Sequence, residues 1–281
     1  MKQSNFKSRG DRRRQGFTLA ELLVTLAIIG LLAGLVLPSM VGFGKSNAMI
    51  SASRQLLDDA AFARQQAIST RSTVYMVFVS PDVATPAFAT ALNAGTAYSE
   101  AERRLATNLF RGQFVSYALF SRHNVGDQPG RGSVRYLTSW KTLPDGVFVG
   151  TNKYRFLADL SWRAASNAVS RPFAFETFPF PTDHSPVFAD PGLPFIAFNA
   201  QGQLISEMNS AGNFEDAYLP VAHGSILNPT IVDSSDKVLP APGRADVQET
   251  PPGESTDVNT WTVIHINWLT GRGKIERPEV R

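Results

Sequence analysis

The stretch RRRQGFTLAELLVTLAIIGLLAGLVLPSM, residues 12–40, sets one carboxylate inside an apolar run. From Phe17 to Gly44 the only charged residue is Glu21. A carboxylate in apolar surroundings is expensive unless a cation meets it, so the chemistry open to Glu21 is ion pairing. Other reactive groups are scattered. His123, His184, His223 and His265 share no spacing. There is no H-E-x-x-H, no G-x-S-x-G and no phosphate-cradling glycine loop. Ser234-Ser235-Asp236-Lys237 has S-x-x-K spacing, but it lies in a polar stretch where such short matches arise by chance. Asp233 and Asp236 do not meet the spacing of a calcium loop. With no cysteine in 281 residues, a disulfide framework, thiolate metal sites and cysteine nucleophiles are excluded. These residues point to no enzyme, no cofactor and no metal.

The element that positions Glu21 is a helix long enough to span a bilayer, for which about 20 apolar residues suffice. Residues 1–16 hold Lys2, Lys7, Arg9, Arg12, Arg13 and Arg14 against Asp11. Without them Lys+Arg falls from 27 to 21 and Asp+Glu from 24 to 23, so the net charge of +3 becomes −2. The basic excess is therefore a property of the leader and does not argue for nucleic acid. It places the N-terminus in the cytoplasm and the rest of the chain outside. The apolar run is too long for a signal-peptide core, and its acid fits a twin-arginine signal poorly. A plain single-pass anchor remains an alternative. Gly30 and Gly34 form G-x-x-x-G, which favours close helix packing, and Pro38 removes one helical hydrogen bond and is expected to bend or loosen the helix there.

Gly16-Phe17-Thr18-Leu19-Ala20-Glu21-Leu22-Leu23 after a basic leader resembles the prepilin signal of type IV pilins and type II secretion pseudopilins. The resemblance implies cleavage by a prepilin peptidase between Gly16 and Phe17, and N-methylation of Phe17. Glu21 is then the fifth mature residue, where that family has its glutamate, and Pro38 the twenty-second, where many members have a proline. Glycine at the cut lets a protease approach the backbone. In a filament, Glu21 can pair with the N-terminus of a neighbouring subunit and so fix register.

The helix continues past the apolar run. Met49, Leu56, Ala60, Ala63 and Ala67 recur at helical spacing, opposite Arg54, Asp58, Asp59, Gln65 and Gln66. This predicts one helix over 17–71, apolar all round over 17–44 and amphipathic over 45–72. From residue 73 the period becomes two. Strands are expected over 73–79, 113–121, 133–137, 146–150 and 216–224. Hairpins are expected over 194–206, turning near Gln201-Gly202, and over 260–277, turning at Thr270-Gly271. Short helices fit 98–108 and 157–169. The class is α+β: a long N-terminal helix packed on an antiparallel β-sheet head, 73–281, pilin-like in outline. Ala-Arg-x-x-Ala-Ile running into a strand, WKTLPDGVFV (140–149) and the last two hairpins resemble the pseudopilin H and FimT-like group. Stretches 81–97, 170–193 and 227–259 read as loop insertions, the last a mobile acidic one. Phe173, Phe175, Phe178, Phe180 and Phe188 either pack within their insertion, cover a sheet edge or form a partner surface.

Near the C-terminus, GRGK resembles the basic motif of FimT-like proteins, some of which bind DNA, with Lys274 where arginine is usual. Arg272, Lys274 and Arg277 are therefore candidate phosphate contacts. The sequence thus implies a minor subunit of a type II secretion pseudopilus or type IV pilus. Its expected partners are the prepilin peptidase, other pilins and the inner membrane, the head lying in the periplasm or on an extracellular filament. A DNA-uptake or adhesive minor pilin is the alternative.

Overall fold

The computed structural model describes residues 18–93, 97–123, 127, 132–154, 172–206, 213–232, 238–257 and 259–277. The chain divides into two units, Met1–Gly44 and Lys45–Arg281. The class is mixed α+β, an N-terminal helix followed by a curled antiparallel sheet. The helix expected over 157–169 lies outside the described residues.

Helix α1 runs Leu19–Thr70. Pro38 lies inside it. In the first unit, Leu19, Leu22, Leu23, Val24, Leu26, Ile28, Ile29, Leu31 and Leu32 are all exposed. Among the described residues no helix is long and apolar enough to cross a membrane. The span expected over 17–44 includes Phe17 and side chains from position 33 onward that lie outside the described residues.

In the second unit, the same helix buries one stripe. Met49, Ala52, Leu56, Ala60, Ala63 and Ala67 are at most 4% exposed. Four of the six are alanine, which lets the helix axis come close to the sheet beneath. After Thr70 the helix stops in a Schellman turn. The Ser72 amide donates to the Ala67 carbonyl at 3.2 Å and the Arg71 amide to Ile68 at 3.4 Å. Arg71 takes the left-handed conformation there, φ 52°, a position that usually selects glycine.

The first sheet contains β1 (Val74–Phe78), β2 (Ser116–Ser121), β3 (Arg135–Tyr136), β4 (Lys141–Thr142), β6 (Ala174–Pro179) and β7 (Val187–Phe198), in the order β3-β2-β1-β7-β6, with β4 also on β2. All these pairs are antiparallel; at the centre Val74 faces Ser121 and Phe198. The second sheet has the order β11 (Asp246–Glu249), β8 (Ala217–Leu227), β12 (Thr262–Ile266), β13 (Gly273–Glu276), with β5 (Val147–Val149) also on β8. A separate ribbon pairs β9 (Thr230–Val232) with β10 (Val238–Pro240).

Strand β1, VYMVF, is apolar at every position, as a strand covered on both faces must be. One face, with Val74, Met76 and Phe78, meets α1 and the second sheet in the main core. The other, with Tyr75 and Val77, meets a second core beneath α2 (Pro86–Asn93) and α3 (Glu100–Leu109). The first sheet curls over that second core. Tyr75 and Phe120 both pack edge-on against Phe178 of β6, at 5.3 and 5.2 Å between centroids. Tyr136 Oη donates to the Pro179 carbonyl at 2.7 Å, and Arg122 pairs with Glu176 at 2.7 Å. These contacts join opposite edges of one sheet.

Each stretch expected as a loop insertion carries ordered elements. Within 81–97 lie a 3₁₀ turn, Pro81–Ala84, and α2, whose Phe88 and Leu92 face the second core. Phe173, Phe178, Phe180 and Phe188 are buried, so these phenylalanines serve packing and not a partner surface. The acidic 227–259 stretch holds β9, β10 and β11, so it is not simply a mobile loop. Gln113 ties it down: its Nε2 donates to the Gly243 carbonyl and its Oε1 accepts from the Ala245 amide, both at 2.8 Å.

Polar contacts fix the helices at defined points. Asp59 of α1 accepts from Tyr117 Oη at 2.7 Å and from Lys141 Nζ at 2.6 Å. Gln55 donates to Tyr117 Oη at 2.9 Å and to the Thr142 carbonyl at 3.2 Å. Burial and the Asp59 carboxylate keep the Tyr117 hydroxyl protonated, pushing its pKa up. At α3, Ser99 and Glu102 form a capping box. Glu102 also accepts from Ser185 Oγ and, at 2.9 Å, from Thr182 Oγ1. Led by the Ser185 bond, with Ser99 next, these hydrogen bonds hold the Glu102 carboxyl down to about 2.

Candidate functional site

Gly16 and Phe17 lie outside the described residues. The described chain begins at Thr18, and its first turn is organised by Glu21. Thr18 and Glu21 form a capping box around the N-terminus of α1. The Thr18 amide and hydroxyl both donate to Glu21 Oε2 at 2.9 Å. In return, the Glu21 amide donates to Thr18 Oγ1 at 3.2 Å. One carboxylate thus satisfies donors that a helix start otherwise leaves free, and it lies where the positive end of the helix dipole favours an anion. Glu21 is exposed, four residues from Phe17 in the sequence, and its other oxygen can accept from a cation. Around it the side chains are leucine, valine and isoleucine, all exposed on this chain.

The C-terminal basic residues lie on the last hairpin. Arg272 and Arg277 are exposed, and Lys274 Nζ is bound to Glu276 Oε1 at 2.7 Å. That bond is the main cause of the upward shift of the Lys274 ammonium pKa. The two glycines of GRGK have structural reasons to be glycine. Gly271 has φ +60° and lies against the Gly202 carbonyl, and Gly273 faces the Leu57 side chain of α1. Arg64 of α1 completes the seat by donating Nε–H to the Thr270 carbonyl at 2.7 Å. The motif therefore docks a turn onto the helix while its Arg272 side chain stays exposed.

The histidines are dispersed, as expected. His184 lies beside Asp183, His223 beside Glu254 and His265 between Asp216 and Glu276. Among the described residues no group of three or more histidines and carboxylates could hold a metal ion. The polar centres that sequence reasoning missed are Asp59, Glu102 and Asp216. Each is defined by partners about 50 or more positions away, and no local spacing announces such contacts.

Residues 11–37 match the family model described as the prokaryotic N-terminal methylation motif. The match covers Arg12, Arg13 and Arg14 of the leader, Gly16, Phe17, Glu21 and the apolar run as far as Leu37. No curated protein and no solved structure matches the chain.

Proposed function

From the type IV prepilin-like signal that this chain carries over residues 11–37, we propose that it is a structural, minor subunit of a type II secretion pseudopilus or a type IV pilus. The signal itself points to a filament subunit and not to an enzyme. A prepilin peptidase cuts after Gly16 and methylates Phe17. Removing residues 1–16 takes away six cations and leaves an ammonium group at the membrane. The apolar helix, with its exposed leucines and isoleucines, then moves from the inner membrane into a filament of other pilins. A head-to-tail contact that does not close generates such a filament. The large head, with secondary structure in each of its insertions, suits a minor subunit better than the bulk one.

One observation carries this reading: the three arginines Arg12–Arg14, Gly16, Phe17, Glu21 and 21 residues of the apolar run fall inside one matched motif, residues 11–37. N-terminal peptide mass spectrometry of the chain from its native membrane tests it. An N-methylated Phe17 terminus is expected, and it disappears in Gly16→Ala. A wild-type chain that still begins at Met1 or Lys2 sinks the proposal and leaves a plain membrane anchor.

A further inference from the structure

His265 is held between two carboxylates, and that geometry has a chemical consequence. It lies in β12, paired in register with Lys274 of β13 and Tyr218 of β8. Its Nε2 is 2.7 Å from Asp216 Oδ2, and its Nδ1 is 2.8 Å from Glu276 Oε1. The ring stacks on Tyr218, with centroids 4.5 Å apart and planes 16° from parallel. Only 14% of the side chain is exposed. An ionised carboxylate accepts hydrogen bonds and donates none. A neutral imidazole carries one N–H and can satisfy one of these carboxylates; the imidazolium carries two and satisfies both.

The surrounding groups agree. Burial works to raise the Asp216 carboxyl, but the Trp268 amide and His265 outweigh it and hold its pKa below the ordinary range. Glu276 is held low first by the Lys274 hydrogen bond, against burial, and then by His265. Burial, with the two carboxylates, pushes the Tyr218 hydroxyl up, so it stays neutral. The ring is therefore faced by two anions, one ammonium shared through Glu276 and one neutral phenol. Asp216 is also the anchor of the adjoining turn. It accepts from the Trp268 amide at 2.7 Å and from Asn267 Nδ2 at 3.2 Å.

We propose that His265 is an imidazolium bridge between Asp216 and Glu276, and that it makes the C-terminal hairpin a pH-sensitive latch. With the ring doubly protonated, β13 and the turn through Trp268 are both tied to the residue before β8. When the ring gives up one of its two protons at higher pH, one of the two bonds is lost and the edge strand β13 loosens. At the acid end the sign reverses. Asp216 and Glu276 have depressed pKa values, so their contribution is present above the unfolded carboxylate range, about 4, and is lost as pH falls through the folded values. The hairpin, with its exposed Arg272, is thus most firmly seated in mildly acidic solution.

The test is histidine-selective ¹⁵N NMR on the full chain in detergent micelles, with thermal unfolding of wild type and His265→Gln. At about pH 6 both His265 ring nitrogens are expected to be protonated. The wild type is expected to melt higher than His265→Gln at about pH 6, and that advantage is lost by about pH 9. Glu276→Gln on the edge strand is expected to narrow the difference in melting temperature between about pH 6 and about pH 9. It supplies the reading if His265→Gln does not fold. A ring protonated on one nitrogen only at about pH 6, a pH dependence of melting unmoved by Glu276→Gln, or a wild-type advantage independent of pH each overturns the bridge.

Discussion

At the scale of single residues, Glu21 in the proposed filament and the proposed His265 imidazolium face the same problem in different surroundings: a charge kept away from bulk water needs a partner. Glu21 is satisfied within its own helix by Thr18. Glutamine can reproduce a capping box, so Glu21→Gln leaves the helix start intact while removing the charge. On the proposed reading, the ammonium of a neighbouring Phe17 then enters the filament unpaired. Breaking a buried pair in this way costs about 3–5 kcal/mol. We therefore expect Glu21→Gln to be cut after Gly16 as usual, and its share in purified filaments to fall at least ~100-fold, the ratio that such a cost implies. Wild-type incorporation of the variant, quantified by mass spectrometry of sheared filaments, would remove Glu21 from assembly.

At the scale of elements, the head is held where apolar stripes meet, and a few polar contacts set the positions. The stripe of α1 from Met49 to Ala67 was legible because helical spacing repeats locally. So were the strand at 74–78 and the turns at Gly202 and Gly271, both of which have positive φ. Helix α2 was readable in principle: PAFATALN opens with a proline and places Phe88 and Leu92 four apart. The order of the acidic stretch was not readable. It depends on Gln113, more than 100 positions away, and on Glu254, which accepts the His223 amide at 2.6 Å. Neither contact leaves a periodic trace. Asp59 belongs to the same class, and its removal is informative. Asp59→Ala strands a buried tyrosine hydroxyl and deprives Lys141 of its partner, while the alanine stripe still packs. A loss of about 1–3 kcal/mol in denaturant unfolding is expected. A variant as stable as wild type would show that burial alone seats α1.

At the scale of the whole molecule, the division after Gly44 separates an exposed apolar helix from a unit with its own core. A chain beginning at Lys45 keeps Met49 and every later residue of both cores. It is expected to unfold in one cooperative transition, within about 3 °C of the full chain, the change that roughly 1 kcal/mol produces in a domain of this size. Absence of a cooperative melt in calorimetry would mean that the head borrows stability from residues 1–44. Of the function, what was legible in the sequence is confined to residues 11–37, because a peptidase reads a linear signal. Whatever the head contacts is decided by its folded surface, and no linear pattern encodes that.

The first sheet is covered on both faces, by α1 on one and by α2, α3 and the phenylalanine-rich strands on the other. Among the described residues, no broad apolar plane is left on that sheet to lay against a neighbour. What that sheet leaves for a neighbour is strand rims and turns, and α1 adds Phe62 and Ile68, which stand exposed. Rims and turns tolerate sequence change far better than a stacked sheet interface does. Heads of this kind can therefore diverge in surface while keeping the same interior.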